Sequence, residues 1–269
     1  MTTPLRLLSY NIQVGIGTNG YHEYLTQSWR YLLPHREQHN TLDGIAALAK
    51  AFDLVGLQEV DGGSLRSRFI NQTEFLAQRS GFPCWYSQTN RRLGNLAHHS
   101  LGALSRMPFG DVREVRLPGR IPGRGALMAR FESDTEPLLV VIAHLALGQR
   151  TRTKQIAYIA SLIRGFRHVI VMGDFNCTTE SPELKPLLGT GRLREALPAT
   201  NTFPSWRPTR NIDHVLLSPD IGVITADVLD HRFSDHLPIA LELDVPLALM
   251  PGQIGHIHAP KYPFERVAA

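Results

Sequence analysis

The feature that most constrains the fold of this chain is the alternation of short apolar runs with stretches of helical periodicity. Several apolar runs are almost uninterrupted, which is typical of strands that are covered on both faces. Because strands alternate with helices, the pattern predicts an α/β fold of sheets with outer helices rather than a bundle or a barrel. The predicted strands are Leu5–Ile12, Leu54–Leu57, Leu101–Leu104, Ala126–Phe131, Leu138–Ala143, Val169–Met172, Val215–Leu217 and Ile239–Leu243, and the predicted helices are Thr41–Phe52, Asn71–Gln78 and Thr153–Arg164.

The domain organisation is simple, because no internal repeat or linker divides the 269 residues. We expect one catalytic domain over residues 1–245. The segment Arg113–Gly125 is rich in Arg, Gly and Pro and predicts a loop or a hairpin connection. Residues 246–269 contain four prolines and predict an irregular surface tail.

The N-terminal region and the cysteine content indicate a cellular compartment. The first residues lack the charged leader, apolar core and cleavage site of a secretory signal. No apolar window reaches the length of a membrane-spanning helix. Two cysteines, Cys84 and Cys177, are too few for a disulfide framework and form no CxxC pair. We therefore expect a cytoplasmic monomer, and the sequence indicates no protein partner.

Arginine supplies most of the positive charge in a chain of formal net charge +4. The only lysines are Lys50, Lys154, Lys185 and Lys261. The planar guanidinium group suits phosphate recognition better than an ammonium group does. A GC-rich genome that favours arginine codons would give the same composition, so the charge supports a phosphate ligand without establishing one.

Polar residues at the ends of the predicted strands are the candidate functional residues. Burying such groups costs free energy unless a partner or ligand compensates for it. One such residue is usually a turn or cap residue. Here the pattern recurs from strand to strand, and ligands of open α/β sheets bind where strand ends converge. The candidates are Asn11, Glu59, His144, Asp174, Asn176, Asp213, Asp235 and His236.

These residue types favour a hard cation together with acid–base chemistry. Carboxylate and amide oxygens with few sulfur ligands suit Mg²⁺ or Mn²⁺ better than zinc. Asp174 and Asn176 are two residues apart, so their side chains share one face of an extended segment. Asp235 and His236 are adjacent and precede Pro238, which predicts a rigid turn into the last strand. A carboxylate near a histidine fixes its tautomer and stabilises the imidazolium.

In their order along the chain, these motifs resemble the endonuclease/exonuclease/phosphatase family, which includes DNase I and the apurinic endonucleases. The resemblance extends from about Leu7 to Leu243. It implies a four-layer α/β sandwich, with two mixed sheets packed face to face and helices on the outside. The motifs are Ser-Tyr-Asn-Ile, Leu-Gln-Glu-Val, Leu-Ser-Arg at Leu104–Arg106, His144, Gly-Asp-Phe-Asn, Ile-Asp-His-Val and Ser-Asp-His-Leu-Pro.

The resemblance also implies a metal site with Mg²⁺ or Mn²⁺ as the cofactor. Glu59 matches the position of the principal metal ligand, and Asn11 matches the position beside it. Asp235 matches a position close to the metal or to its bound waters.

The remaining motif positions imply catalytic roles. Asp174 and Asn176 match the residues that orient the attacking water and hold a phosphoryl oxygen. His236 matches the essential histidine, with Asp213 as its carboxylate partner, and His144 matches a second histidine that protonates the leaving oxygen. Either Asp174 or His236 takes the proton of the water.

The substrate is predicted less directly, because the family includes nucleases, inositol-phosphate phosphatases, sphingomyelinases and tyrosyl-DNA phosphodiesterases. In the loop Thr202–Pro208, Trp206 and Arg207 predict base stacking and a phosphate contact. Arg150 and Arg152 flank a motif position and are further candidates for phosphate contact. A Trp packed under the loop and solvated arginines are the alternatives. With the arginine content, these residues favour a nuclease acting on DNA or RNA.

Two other functions were weighed against the nuclease. The first is a phosphodiesterase or phosphatase that acts on a phospholipid head group or an inositol phosphate. The second is a non-catalytic binder of a phosphate polymer, which would require a missing catalytic position, and none is missing. Dedicated abasic-site repair is not expected, because residues 208–211 intervene between the Trp206-Arg207 pair and Ile212-Asp213.

Three weaker signals receive structural interpretations. The formal GxGxxG motif at Gly15–Gly20 follows a predicted strand, as in a dinucleotide-binding site. Such a site also requires an acidic residue about twenty residues after the glycines, and Glu59 lies far beyond that spacing. We interpret the glycines as a flexible loop. The pairs His98-His99 and His256/His258 are interpreted as surface histidines without partners, and Cys177 as a packing residue.

Overall fold

The computed structural model describes residues 3–17, 20, 33–34, 37–120, 122–133, 135–189 and 191–246. Its strands are β1 (Thr3–Asn11), β2 (Leu54–Asp61), β3 (Cys84–Leu93), β4 (Ala97–Ser105), β5 (Asp111–Arg116), β6 (Gly125–Phe131), β7 (Leu138–His144), β8 (His168–Asp174), β9 (Arg194–Glu195), β10 (Asp213–Leu217), β11 (Gly222–Val228) and β12 (Ile239–Val245). Its helices are α1 (Glu37–Ala49), α2 (Gln72–Ser80), α3 (Gln149–Leu162) and α4 (Lys185–Leu188), with single 3₁₀ turns at Gln13–Gly15, Leu65–Ser67 and Pro182–Leu184.

The described strands form two mixed sheets of six strands each. The first has the order β11-β12-β1-β2-β4-β3, and the second has the order β5-β6-β7-β8-β10-β9. In each sheet one pair is parallel, β1 with β2 and β7 with β8, and the other pairs are antiparallel. The parallel pairs lie near the centre of their sheets, as expected for strands that are covered on both faces.

Three apolar clusters hold four layers together. The central cluster packs the inner faces of both sheets, with Leu7, Ile142 and Leu241 among its members. A second cluster packs α3 and α4 against the outer face of the second sheet. A third packs α1 and α2 against the outer face of the first sheet. The predicted four-layer α/β sandwich is therefore confirmed.

All eight predicted strands and all three predicted helices occur, with shifted ends. The prediction missed β3, β9 and β11, because half-exposed edge strands mix polar and apolar residues and lack a continuous apolar run. The loop or hairpin connection expected over Arg113–Gly125 joins the antiparallel strands β5 and β6, but its predicted ends are too wide, since Arg113–Arg116 belongs to β5 and Gly125 begins β6. The tail predicted from Pro246 lies, apart from Pro246 itself, outside the described residues. Among the described helices, none has the length and apolar character needed to cross a membrane.

Candidate active site

The predicted residues meet at one edge of the sandwich. Because β1 and β2 are parallel, and β7 and β8 are parallel, their carboxyl ends lie together at that edge. Asn11 ends β1 in the first sheet, and Asp174 ends β8 in the second. The Asn11 Nδ2 donates to Asp174 Oδ2 at 3.0 Å, so this hydrogen bond joins the two sheets across 163 positions of sequence.

A chain of hydrogen bonds fixes His236. Its Nδ1 lies 2.8 Å from Asp213 Oδ2, and the hydroxyl of Thr202 donates to the same carboxylate. The Phe203 ring packs at 4.8 Å between centroids against the imidazole. With Nδ1 engaged, His236 Nε2 is directed toward Asp174, whose Oδ2 lies 3.9 Å away. The predicted partnership of Asp213 with His236 is present in the geometry.

The charge state of His236 follows from its neighbours. Burial alone would lower its pKa, but the carboxylates of Asp213, Asp235 and Asp174 outweigh burial and raise the pKa well above its ordinary value. The side chain is therefore held as an imidazolium between acidic groups.

Asp174 is almost completely buried, yet it is ionised. Burial by itself would raise its pKa. The hydrogen bond from His144 and the nearby positive charges have a larger effect in the opposite direction, so the pKa is lowered overall. One carboxylate oxygen accepts from Asn11, and the other accepts from the backbone N–H of Asn176 at 3.0 Å. The carboxylate is thus fixed in position before any ligand binds.

Asn176 is set beside Asp174 by a tight backbone turn. Its φ is 55°, in the left-handed region that Asn tolerates better than most residues. Its Nδ2 donates to the carbonyl of Leu145 at 3.0 Å, which ties the segment after β8 to the segment after β7. This hydrogen bond therefore joins the two segments into one wall of the site.

His144 bridges three functional groups at the end of β7. Its Nε2 lies 3.3 Å from Asp174 Oδ2 and 3.8 Å from Glu59 Oε1. Its Nδ1 lies 2.7 Å from Nη1 of Arg124. The same Nη1 also contacts Nε2, so the guanidinium of Arg124 packs against both ring nitrogens of His144. Arg124 is a site residue that sequence reasoning missed.

Glu59 reaches the site through an irregularity in β2. Between Leu57 and Val60 the pairing with β4 shifts register, and Glu59 has a φ of 55°. A bulge of this kind turns a side chain away from the regular alternation of the strand. The Glu59 carboxylate is 32% exposed, and the described residues offer it no hydrogen bond; its Oε1 lies 3.8 Å from Nε2 of His144.

Asp235 lies in the turn that precedes β12. Its Oδ1 accepts from the hydroxyl of Ser234 at 3.1 Å, and its backbone carbonyl accepts from the N–H of Ser205 at 2.7 Å. The side chain is mostly buried and contributes to the charge around His236. The loop that contains Thr202 and Ser205 therefore holds this turn in place.

The oxygen groups at this edge fit a divalent metal. Glu59 offers a carboxylate that lacks a hydrogen bond from the described residues, and Asn11 and Asp235 offer further oxygen ligands. By distance alone, ligand atoms of Asp174, Asp213 and His236 lie within 4.8 Å of one another. Within this triad, Asp213 and His236 are already bonded to each other.

The four predicted substrate contacts fall into two groups. Arg150 and Arg207 are exposed, and Trp206 is half-buried in the loop whose Phe203 packs on His236. Arg152 is buried, where it pairs with Glu183 at 2.6 Å and donates to the carbonyls of residues 146 and 147. This position argues against the predicted contact of Arg152 with substrate, because its guanidinium already anchors the segment after β7.

Thr202, Phe203 and His99 were also missed as site residues. Thr202 and Phe203 belong to the loop that was predicted to contribute through its Trp206 and Arg207. His99 was interpreted as a surface histidine without a partner. It is half-buried in the cleft. Burial is the main cause that lowers its pKa to about 4, and the positive charge of Arg66 is the second cause.

Two mixed sheets that carry an ionised Asp, an Asp-paired His and an exposed Glu at one edge define a DNase I-like hydrolase of phosphate esters. Residues 8–236 match the Endonuclease/Exonuclease/phosphatase family. The chain therefore belongs to this family, as the motifs predicted. No curated protein matches it.

Solved structures share the fold at low sequence identity. A family protein from Bacteroides thetaiotaomicron superposes with a TM-score of 0.69 at 18% identity, covering 92% of this chain and 100% of that chain. A mannosyl-6-phosphatase from the same species has a TM-score of 0.65 at 20% identity, with 89% and 99% covered. The human Nocturnin catalytic domain with bound sulfate has a TM-score of 0.65 at 20% identity, with 90% and 94% covered.

Proposed function

We propose that this protein is a Mg²⁺- or Mn²⁺-dependent phosphodiesterase that hydrolyses DNA or RNA by in-line attack of water. The observation that carries the proposal is the junction of Asn11, Asp174 and His236, where groups from both sheets face one reaction centre. In-line hydrolysis needs a positioned water, a positive charge near the phosphoryl oxygens and a proton donor for the leaving oxygen.

Asp174 orients the water in this proposal. Its carboxylate is ionised and is fixed by Asn11 and by the backbone of Asn176, so its position does not depend on substrate. His236 Nε2 faces the same point, while Nδ1 remains bonded to Asp213. The imidazole can therefore exchange a proton or a hydrogen bond with the reacting oxygens without leaving its place.

The opposite side of the centre serves the leaving group. The Nε2 of His144 lies near both Asp174 and Glu59, and in this proposal the ring protonates the leaving oxygen. Arg124 contacts both nitrogens of this ring and adds positive charge close to the scissile phosphate. A divalent ion held by Glu59, with Asn11 and Asp235 nearby, would supply further positive charge for the phosphoryl oxygens.

Nucleic acid is the proposed substrate because of the residues around the opening. Arg207 and Arg150 are exposed there, and half-buried Trp206 lies in the loop that packs against the turn of Asp235. Exposed guanidinium groups with an aromatic side chain suit a phosphate backbone and its bases. The bound sulfate of the Nocturnin domain and the substrate of the mannosyl-6-phosphatase are consistent with a phosphate-binding edge in this fold.

The test is a substrate panel of single-stranded DNA, duplex DNA, RNA and phospholipid vesicles with inositol-phosphate lipids. Each substrate is incubated with Mg²⁺, with Mn²⁺ and with EDTA. The Asp174→Asn/His236→Ala double variant is the inactive comparison. Asp230→Asn, at an aspartate whose side chain is 72% exposed, is the matched control for the loss of a carboxylate.

Metal-dependent cleavage of a nucleic acid by the wild type and by Asp230→Asn, but not by the double variant, would support the proposal and name the polymer. Release of a head group from lipid with inert nucleic acids would keep the site and replace the substrate. Equal cleavage by the double variant would place the chemistry elsewhere.

A further inference from the structure

A cavity of ≈ 260 Å³ opens beside Glu59 and His144, on the side of the cleft away from His236. Both sheets contribute to it. Asn90 and Arg91 come from β3, His99 comes from β4, and Arg124 comes from the segment that precedes β6. We call this the basic cavity. Because Glu59 and His144 also line it, it is continuous with the reaction centre.

The charge of the basic cavity is positive. Among its described lining residues Glu59 is the only acid, against Arg66, Arg91 and Arg124. Asp61 neutralises Arg66 through an ion pair of 2.5 Å. Within the described part of the chain, neither Arg91 nor Arg124 pairs with a carboxylate, and Arg124 contacts the ring of His144. Two guanidinium groups are thus left for an anion.

The shape of the wall fixes Arg91 in place. Gly123 has a φ of +111°, a conformation that favours glycine, and its backbone packs against the aliphatic part of Arg91. A Cβ at Gly123 would lie 3.3 Å from both Cβ and Cδ of Arg91. Because the stem is held, less side-chain entropy is lost when the guanidinium binds a ligand.

His99 and Asn90 add neutral polar groups to the basic cavity. Burial and the positive charge of Arg66 lower the pKa of His99 to about 4, so its ring is uncharged at neutral pH and can donate one hydrogen bond. Asn90 packs so closely on Gly125 that a Cβ there would lie 2.0 Å from Asn90 Oδ1. Guanidinium groups with neutral donors are the set that binds phosphate.

We propose that the basic cavity binds a second phosphate group of the substrate, next to the phosphate that is hydrolysed. This inference rests on the proposed phosphoester hydrolysis and adds a substrate requirement to it. The cavity is smaller than the about 300–1,000 Å³ of pockets that enclose a whole drug-sized ligand. It therefore has room for a phosphate and part of its sugar, and it selects esters that carry a phosphate one sugar away from the scissile bond.

The test compares matched esters that differ only in the second phosphate. The substrates are the p-nitrophenyl ester of thymidine 5′-phosphate with and without a 3′-phosphate, and that of thymidine 3′-phosphate with and without a 5′-phosphate. Release of p-nitrophenol gives kcat/KM for each. In a third arm the second phosphate is esterified with another thymidine, which separates a terminal phosphate from an internal phosphate of a nucleic acid.

We expect the second phosphate to raise wild-type kcat/KM by about tenfold or more in one of the two arrangements, as for a charge-assisted contact. Arg91→Gln should remove most of this gain, and Arg91→Lys should keep part of it. Arg92→Gln is the matched control, because the adjacent arginine is exposed and does not line the basic cavity. Thermal unfolding of each variant verifies that its fold is intact.

A binding measurement separates the two proposals. Calorimetric titration in EDTA compares thymidine 3′,5′-bisphosphate with thymidine 5′- and 3′-monophosphates, so it needs neither metal nor turnover. Tighter binding of the bisphosphate by the wild type and by Arg92→Gln, but not by Arg91→Gln, supports the basic cavity even if no ester is hydrolysed. Hydrolysis with no preference for a second phosphate, or a preference that Arg91→Gln retains, overturns the inference and leaves the proposed function standing.

Discussion

The two sides of the cleft differ in how their polar groups are satisfied. On the His236 side, Asp213 accepts from both Thr202 and His236, and Asp174 accepts from Asn11 and Asn176. On the Arg124 side, which contains the basic cavity, the guanidinium groups of Arg91 and Arg124 lack a carboxylate partner in the described chain.

The difference separates two tasks of one site. A hydrogen-bonded network with no spare groups holds reactive atoms in place, and this preorganisation is what a chemical step requires. Groups with unused hydrogen-bonding capacity form hydrogen bonds when a ligand binds, and this is what recognition requires. We therefore expect changes on the His236 side to lower kcat, and changes on the Arg124 side to alter substrate preference.

The largest expected effect is on the His236 side. His236→Ala should lower kcat by about 10²–10⁴-fold, the usual contribution of a positioned acid–base group, with little change in KM. Steady-state kinetics on the best substrate of the panel give both constants. A loss confined to KM would mean that His236 binds substrate, and the contrast between the two sides would fail.

The next largest effect is structural and concerns Asp61 and Arg66. Asp61→Asn should lower the free energy of unfolding by about 3–5 kcal/mol, because it leaves the charge of Arg66 buried without its partner. Urea denaturation measures the change. Arg91→Gln, at the basic cavity, is the comparison and should change stability little. Equal losses in both variants would contradict the division between structural and ligand-binding arginines.

Glu59→Gln should weaken the dependence on metal rather than the fold. We expect the metal concentration for half-maximal activity to rise about 10–100-fold, a range typical of lost metal-site interactions. Activity titrations with Mg²⁺ and Mn²⁺ measure it, with Glu180→Gln, at an exposed glutamate, as the control. An unchanged metal requirement would remove Glu59 from the metal site.

The smallest effect is a pH dependence of stability from His214, behind the His236 side. Burial would lower the pKa of His214, but the carboxylate of Glu195 and the carbonyl of Cys177 outweigh burial and raise it. A raised pKa means that the stabilisation is complete below about pH 6.5, the ordinary value, and is lost as pH rises through the folded-state pKa.

His214→Gln should therefore destabilise the protein more at pH 6 than at pH 9, by about 1–3 kcal/mol at the lower pH for a hydrogen bond to a charged group. Denaturant titrations of both proteins at the two pH values measure this difference. Because His214 touches the backbone that follows Asn176 rather than the reaction centre, kcat should fall much less than in His236→Ala. A gap in stability that widens with rising pH would refute the assignment of a buried imidazolium.

The sequence by itself determined the layers, the family and the set of residues at the strand ends. Apolar runs and polar strand ends are local patterns, and parallel neighbours bring their carboxyl ends to one edge of a sheet, so His144 and Asp174 could be predicted to meet. The interpretation of Cys177 as a packing residue needed only its surroundings in sequence, and the side chain is buried in the core under α3.

Only the tertiary structure decided how the side chains are used. Arg152 and Arg91 are both arginines beside functional segments, yet one is buried against Glu183 and the other lines the basic cavity. Arg124 meets His144 across 20 positions, and Asn11 meets Asp174 across 163. Local sequence patterns carry no information about such pairs, because burial and charge partners are set by which strands become neighbours.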